Sequence, residues 1–272
     1  MQLDDGNHAV LYVAAMGWLR EWKRKRILER HALDERMWQR ALARLPFLAG
    51  LSHDETARLK ALAIVFLAEK EFTAVRGTLL SEDDRLSIAL QACLPVLELG
   101  LAYYDGWVGI VVHPADFRVQ RTETDDDGVV HTWDDELAGE SWPGGPVVLS
   151  WDALGEAGSV AHGGVNVVVH EFAHMIDMAD GEADGVPPLA SRAAREAWAA
   201  VFDREFERFC GRIERGEPSS LDPYAAEHES EFFAVASEAF FESPLLLRQE
   251  FPQLYELFRD FYRQDPAKRL RA

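Results

Sequence analysis

His170-Glu171-Phe172-Ala173-His174, preceded by the mostly apolar run Val165 to Val169, is the stretch on which the reading of this chain turns. Residues four apart lie on one face of a helix, so the imidazoles of His170 and His174 can converge on one metal ion. Glu171 then sits beside the ion. A carboxylate there can take a proton from a water whose pKa the metal lowers toward ~7 and pass it to a leaving amine. The pattern is that of a zinc hydrolase. The competing reading, a surface helix with two solvated histidines, is opposed by the apolar residues that fill the gaps.

Two protein ligands leave zinc short of the three that catalytic sites usually show. In the arrangement His-Glu-x-x-His-x-x-Gly-x-x-His the third follows at once, but here those last two positions hold Asp177 and Asp180. The better source is the stretch from Asp222 to Phe241, expected to form one helix with a thick aromatic face. Its carboxylates Glu227, Glu229, Glu231 and Glu238 compete for the role.

The zinc motif together with Asp222-Pro223-Tyr224 and Glu231-Phe232-Phe233-Ala234 resembles the Mlc titration factor A family, zinc metallopeptidases of the gluzincin type related to the anthrax lethal factor catalytic domain. The likeness runs in order from Trp22-Lys23-Arg24-Lys25-Arg26-Ile27-Leu28 through Val65 to Lys70, Gln91-Ala92-Cys93 and Pro146 to Trp151, and on through Asp184 to Leu189. It implies that Glu231 completes the zinc site and that Tyr224 serves the transition state, its phenol donating to the developing oxyanion. It also implies a gluzincin fold, one Zn2+ per chain, and binding of the glucose-responsive repressor Mlc.

Glu231 and Glu238 lie two turns apart on one helix face. Glu238, deeper among Ala236, Ala239, Phe240 and Phe241, is a candidate acceptor for a zinc-bound imidazole. Glu227 and Glu229 suit a solvated helix start, and Asp222-Pro223 an N-cap and first position. Tyr224 has a plainer reading as a helix-start residue packed on the core. Asp177 and Asp180 can accept the free N–H of a ligand histidine or simply serve the Asp-, Gly- and Pro-rich connection that runs to Pro188. Its Asp-Gly pairs lack the alternation of a calcium loop, and calcium is not assigned. His228 is an extra ligand or an exposed histidine. His162, before two glycines, lines the cleft or caps a loop. His8, His31, His53, His113 and His131 have no ligand spacing.

The chain has 272 residues, with 28 basic against 47 acidic, a net charge of −19. Such a surface repels phosphates, which disfavours direct nucleic acid binding and attracts basic partners. Lys23-Arg24-Lys25-Arg26 is a local exception, expected on a solvated, tryptophan-bearing helix. The apolar stretch Ala9 to Leu19 is too short to cross a bilayer and follows acidic residues, so no membrane insertion and a cytoplasmic location are expected. Cys93 and Cys210 lack paired spacing and read as reduced, buried thiols.

Helices are expected through the first third. Ser52-His53-Asp54-Glu55 has capping-box spacing, and Ser81 with Asp84 begins a second segment that stops near Pro95. Short strands follow at Trp107 to His113, Phe117 to Arg121, Val129 to Trp133 and Pro146 to Trp151, with turns at Asp125 to Gly128 and Trp142 to Gly145. The valines before His170 favour strand locally, so the zinc helix is expected to begin late. This order is an α+β, zincin-like fold. One domain spans residues 1–272: a mainly helical part over 1–105, a small mixed sheet with the zinc helix over 106–189, and a helical lobe carrying the third ligand over 190–272.

The expected activity is zinc-dependent hydrolysis of a peptide or protein, with Glu171 as general base and the substrate paired along an edge strand, for which Pro146 to Trp151 is the candidate. Regulation of sugar uptake through Mlc accompanies it. The alternative is a non-catalytic binder that sequesters a transcriptional repressor.

Overall fold

The computed structural model describes residues 19–75, 78–124, 130–154 and 166–270, with the backbone alone over 117–137. Helical residues 19–30 lead into α1 (Glu35–Arg44) and α2 (His53–Glu69), then β1 (Glu71–Ala74) and α3 (Glu82–Cys93). Both expected capping boxes form: Ser52 with Glu55 opens α2 and Ser81 with Asp84 opens α3, each pair satisfying backbone N–H groups that a helix start leaves bare. β2 (Gly109–His113), β3 (Phe117–Thr124), β4 (Val130–Leu137), β5 (Gly139–Ser141) and β6 (Val147–Ser150) follow.

The main sheet has the order β1-β2-β6-β5, the first three parallel and β5 antiparallel on the edge, while β3 and β4 form a separate antiparallel hairpin. The fold is therefore α+β with a small mixed sheet. It differs from the expectation in one respect that matters for function. The candidate edge strand, Pro146 to Trp151, becomes β6, which is flanked by β2 and β5 and is buried at all four residues. Its backbone is already paired on both sides; the edge strands are β1 and β5, and of these β5 is the one that lines the cleft. β1 alternates polar and apolar residues over only four positions and β5, Gly139-Glu140-Ser141, over none, so both are too short to stand out as strands in sequence.

After α4 (Trp151–Leu154) comes the central helix α5 (Val167–Asp177), which holds His170, Glu171 and His174. It begins three residues before His170, earlier than valine propensity suggests. Asn166 caps it, its Oδ1 accepting from the Val169 N–H at 2.9 Å. Val167, Val168, Val169, Phe172, Ala173 and Ile176 are all buried, and this packing overrides the local β preference. Phe172 sits among Phe66, Tyr104 and Trp107 with ring centroids 5.1–5.7 Å away. The Lys70 ammonium fastens that aromatic bed, donating to the carbonyls of Tyr104 (2.6 Å) and Trp107 (2.7 Å) over the Trp107 indole. Burial pushes its pKa down to about 8.

The C-terminal lobe comprises α6 (Arg192–Glu214), α7 (Glu229–Glu242), α8 (Pro244–Glu250), α9 (Pro252–Tyr262) and α10 (Pro266–Arg269). Phe232, Phe233 and Phe240 of α7 pack into rings from α6, α9 and the α8–α9 junction, including Trp198, Phe202, Phe251 and Phe258. The single helix expected from Asp222 to Phe241 is in fact two pieces. Asp222 caps a 3-10 turn over Pro223–Ala226, as its Asp-Pro pair predicts, and α7 starts afresh with His228 as its cap.

On the N-terminal helix Arg24 pairs with Glu69 and Asp105, and Arg26 stacks over the half-exposed Trp22. Cys93 is buried and Cys210 half-buried, both free, and burial raises both thiol pKa values. No helix among the described residues is long and apolar enough to cross a membrane. The Asp125–Gly128 turn, His8, His162 and most of the Ala9 to Leu19 run lie outside the described residues.

Candidate metal centre

The two histidines of α5 and one carboxylate of α7 meet at the bottom of a cleft of about 560 Å³. His170 Nε2 and His174 Nε2 are 3.1 Å apart, and Glu231 Oε2 lies 3.2 Å from the first and 3.4 Å from the second. Zinc bonds of about 2.0–2.1 Å set tetrahedral ligands about 3.3 Å apart, so this spacing suits such an ion. The donor set also asks for one. Glu231 Oε2 is buried with no hydrogen-bond partner among the described residues, and the facing ring nitrogens of His170 and His174 can share only one proton between them.

The half of His170 that faces away from this point is held firmly. Its Nδ1–H donates to Glu238 Oε1 at 2.7 Å, which turns Nε2 toward Glu231 and His174. The other Glu238 oxygen accepts the backbone N–H of Asn166 at 2.6 Å, and Asn166 Nδ2 donates to Glu242 Oε1. One carboxylate thus ties the start of α5 to α7 and orients the imidazole. Burial opposes ionisation of Glu231, but His170 and His174 beside it hold its carboxyl well below the usual range. Burial likewise opposes a charged His170, and Glu231 and Glu238 overcome it, raising that pKa.

Glu171 points across the cleft, toward the sheet. It is 4% exposed, burial pushes its carboxyl up, and the two histidines pull against that shift. Tyr224, on the 3-10 turn, lines the cleft with its ring centroid 6.4 Å from that of His170 and is 38% exposed, so it is not the core-packing residue of the plainer reading. The structure therefore brings His170, Glu171, His174, Tyr224 and Glu231 to one cleft.

Other candidates go elsewhere. Asp177 is buried and accepts the Gly185 N–H at 2.9 Å, and Asp180 pairs with Arg195; the hydrogen bond to His170 comes from neither but from Glu238. His228 is an exposed helix cap whose Nδ1 faces Ser230. Glu227 lines the cleft rim, and Glu229 sits in the first turn of α7.

Sequence reading missed the sheet side of the cleft: Ala138, Gly139, Glu140, Ser141 and Trp142. The available signal was weak, a glycine shortly before the Trp142-Pro143-Gly144-Gly145 turn.

The chain matches the sequence profile of the glucose-regulated metallo-peptidase M90 family over residues 19–263. It is 40% identical over 238 residues to Mlc titration factor A of Pectobacterium atrosepticum, covering 86% of this chain and 88% of that one. Identity to Mlc titration factor A of Salmonella arizonae is 39% over 253 residues, 92% and 98% of the two chains. An uncharacterized protein of Synechocystis sp. is 37% identical over 251 residues, 92% of this chain and 90% of the other.

Proposed function

This chain belongs to the glucose-regulated metallo-peptidase M90 family, and on that premise we propose that it is a zinc-dependent peptidase of the gluzincin type with Glu171 as its general base. The observation that carries the reading is the convergence of His170, His174 and Glu231 beside the buried carboxylate of Glu171, which shares its helix with the two histidines. His170, His174 and Glu231 would hold the ion. When bound, zinc supplies Lewis acidity, which acidifies water and polarises a carbonyl.

The protein's own groups do the rest. Glu171 takes the proton of the attacking water and returns it to the departing amine, a role that burial favours by raising its pKa. Glu238 fixes the tautomer and tilt of His170. Tyr224, exposed on the cleft wall, donates to the oxyanion as the substrate carbonyl is attacked. The free edge of β5 offers backbone groups that pair with an extended peptide and present its bond beside Glu171.

The relatives' name favours a second role in the same protein, binding of an Mlc-type repressor. A pull-down of such a repressor by metal-free protein separates that role from the cleft: capture that survives metal removal uses another surface.

Cleavage of a mixed peptide library by the zinc-loaded protein tests the peptidase. Glu171→Gln keeps the side-chain shape but cannot accept the proton, so it should retain one zinc per chain while kcat falls by about 10²–10⁴-fold. Equal cleavage by both proteins would remove Glu171 from the mechanism, and no cleavage by either would favour the binding role.

A further inference from the structure

The contact between Gly139 and Glu171 deepens the peptidase reading and rests on it. Gly139 begins β5 and pairs with Leu149 of β6. Its backbone does not lie in the left-handed region, so no turn geometry calls for glycine there. The demand is steric and comes from one residue. A Cβ at position 139 would lie 2.7 Å from both Cγ and Cδ of Glu171 and closer still to Oε1. Strand glycines often mark a place where another group approaches closely, and here that group is the candidate base.

We propose that Gly139 is a positioning residue for the general base: its bare Cα lets the edge strand close against α5 and leaves the Glu171 carboxylate its working place. Two observations make this contact decisive. Glu171 Oε2 is buried with no hydrogen-bond partner among the described residues, so packing against Gly139 constrains that side of the carboxylate. The same strand is an edge of the sheet and a wall of the cleft, so its distance from Glu171 also sets the gap between a paired peptide and the base. A base must come within about 2.6–3.2 Å of the atom that carries the proton it takes, and a misplacement of about 1 Å can cost about 100-fold in rate.

The three atoms nearest an added methyl all belong to the Glu171 side chain and none to the backbone, so Gly139→Ala should fold with the Glu171 carboxylate pushed aside. The expected result is one zinc per chain, kcat lowered roughly 10–100-fold and KM within about twofold. A second measurement needs neither metal nor activity. In metal-free protein, Gly139→Ala should lower Tm by about 2–4 °C when Glu171 is present and leave it near its starting value in the Glu171→Ala background, where the obstruction is gone. Identical Tm changes in both backgrounds would overturn the contact. A loss carried by KM with kcat intact would also overturn the proposal, assigning Gly139 to substrate pairing. Thermal coupling of the two positions in a wild-type protein that hydrolyses nothing would support the contact and overturn the peptidase reading beneath it.

Discussion

The two walls of the cleft are built on opposite plans. The helical wall, α7 and the turn before it, works through long side chains: Glu231 faces the two histidines, Glu238 holds one of them, and Tyr224 lines the mouth. The sheet wall, β5, works through backbone and a missing side chain, an open edge with Gly139 pressed on Glu171. Both converge on α5, buried on all sides, which supplies the remaining functional groups. On the helical wall, function sits in residue types at fixed spacing on a rigid element. On the sheet wall it sits in the distance between two elements, which no residue type encodes.

This contrast breaks most visibly at Glu231. Glu231→Ala should weaken zinc affinity by more than about 100-fold, beyond the 10–100-fold typical of outer-shell changes, because a ligand itself is removed. Competition against a chelator measures it, and affinity within tenfold of wild type would dismiss Glu231 as a ligand. Glu238→Gln sharpens the comparison within the same helix. The two Glu238 oxygens accept from His170 and from the Asn166 N–H, and an amide presents only one acceptor oxygen, so one donor loses its partner. The expected loss in zinc affinity is about 10–100-fold, with the fold retained. An unchanged affinity would reduce Glu238 to an interhelix tie.

The smallest expected effect lies away from both walls, at Lys70 in the aromatic bed beneath α5. Its folded pKa of about 8 is below the 10.5 of a free lysine, so the buried charge is a cost that persists at neutral pH. Between pH 8 and 10.5 the unfolded chain binds a proton that the folded chain does not, and raising pH through that window favours folding. Relative to Lys70→Met, wild-type stability should therefore climb with alkali by roughly 1–3 kcal/mol, screening included, and level off above the window. Denaturant melts of both proteins across the window read this directly. Parallel pH profiles would show that Lys70 keeps its charge at no cost.

The helical elements were legible in the sequence where their signals are local. His170 and His174 four apart, the capping boxes at Ser52 and Ser81, and Asp222-Pro223 each act within one turn. Even there, the break between the Tyr224 turn and α7 was hidden, since the apolar and acidic pattern runs on without a gap while His228 caps a new helix. The helical start at Val167 was equally hidden, because three valines prefer strand until Asn166, Glu238 and a closed core hold them in a helix.

By itself the sequence determined the chemistry available: two imidazoles and a carboxylate at helical spacing, an aromatic helix rich in carboxylates, a chain of net charge −19, and the α+β order of elements. Tertiary structure alone decided which strand is the sheet edge, which carboxylate reaches which imidazole, and why position 139 has no side chain. The physical reason is range. Spacing within a helix is set by covalent geometry and can be read residue by residue, whereas strand order and the approach of β5 to Glu171 depend on contacts between segments distant in the chain.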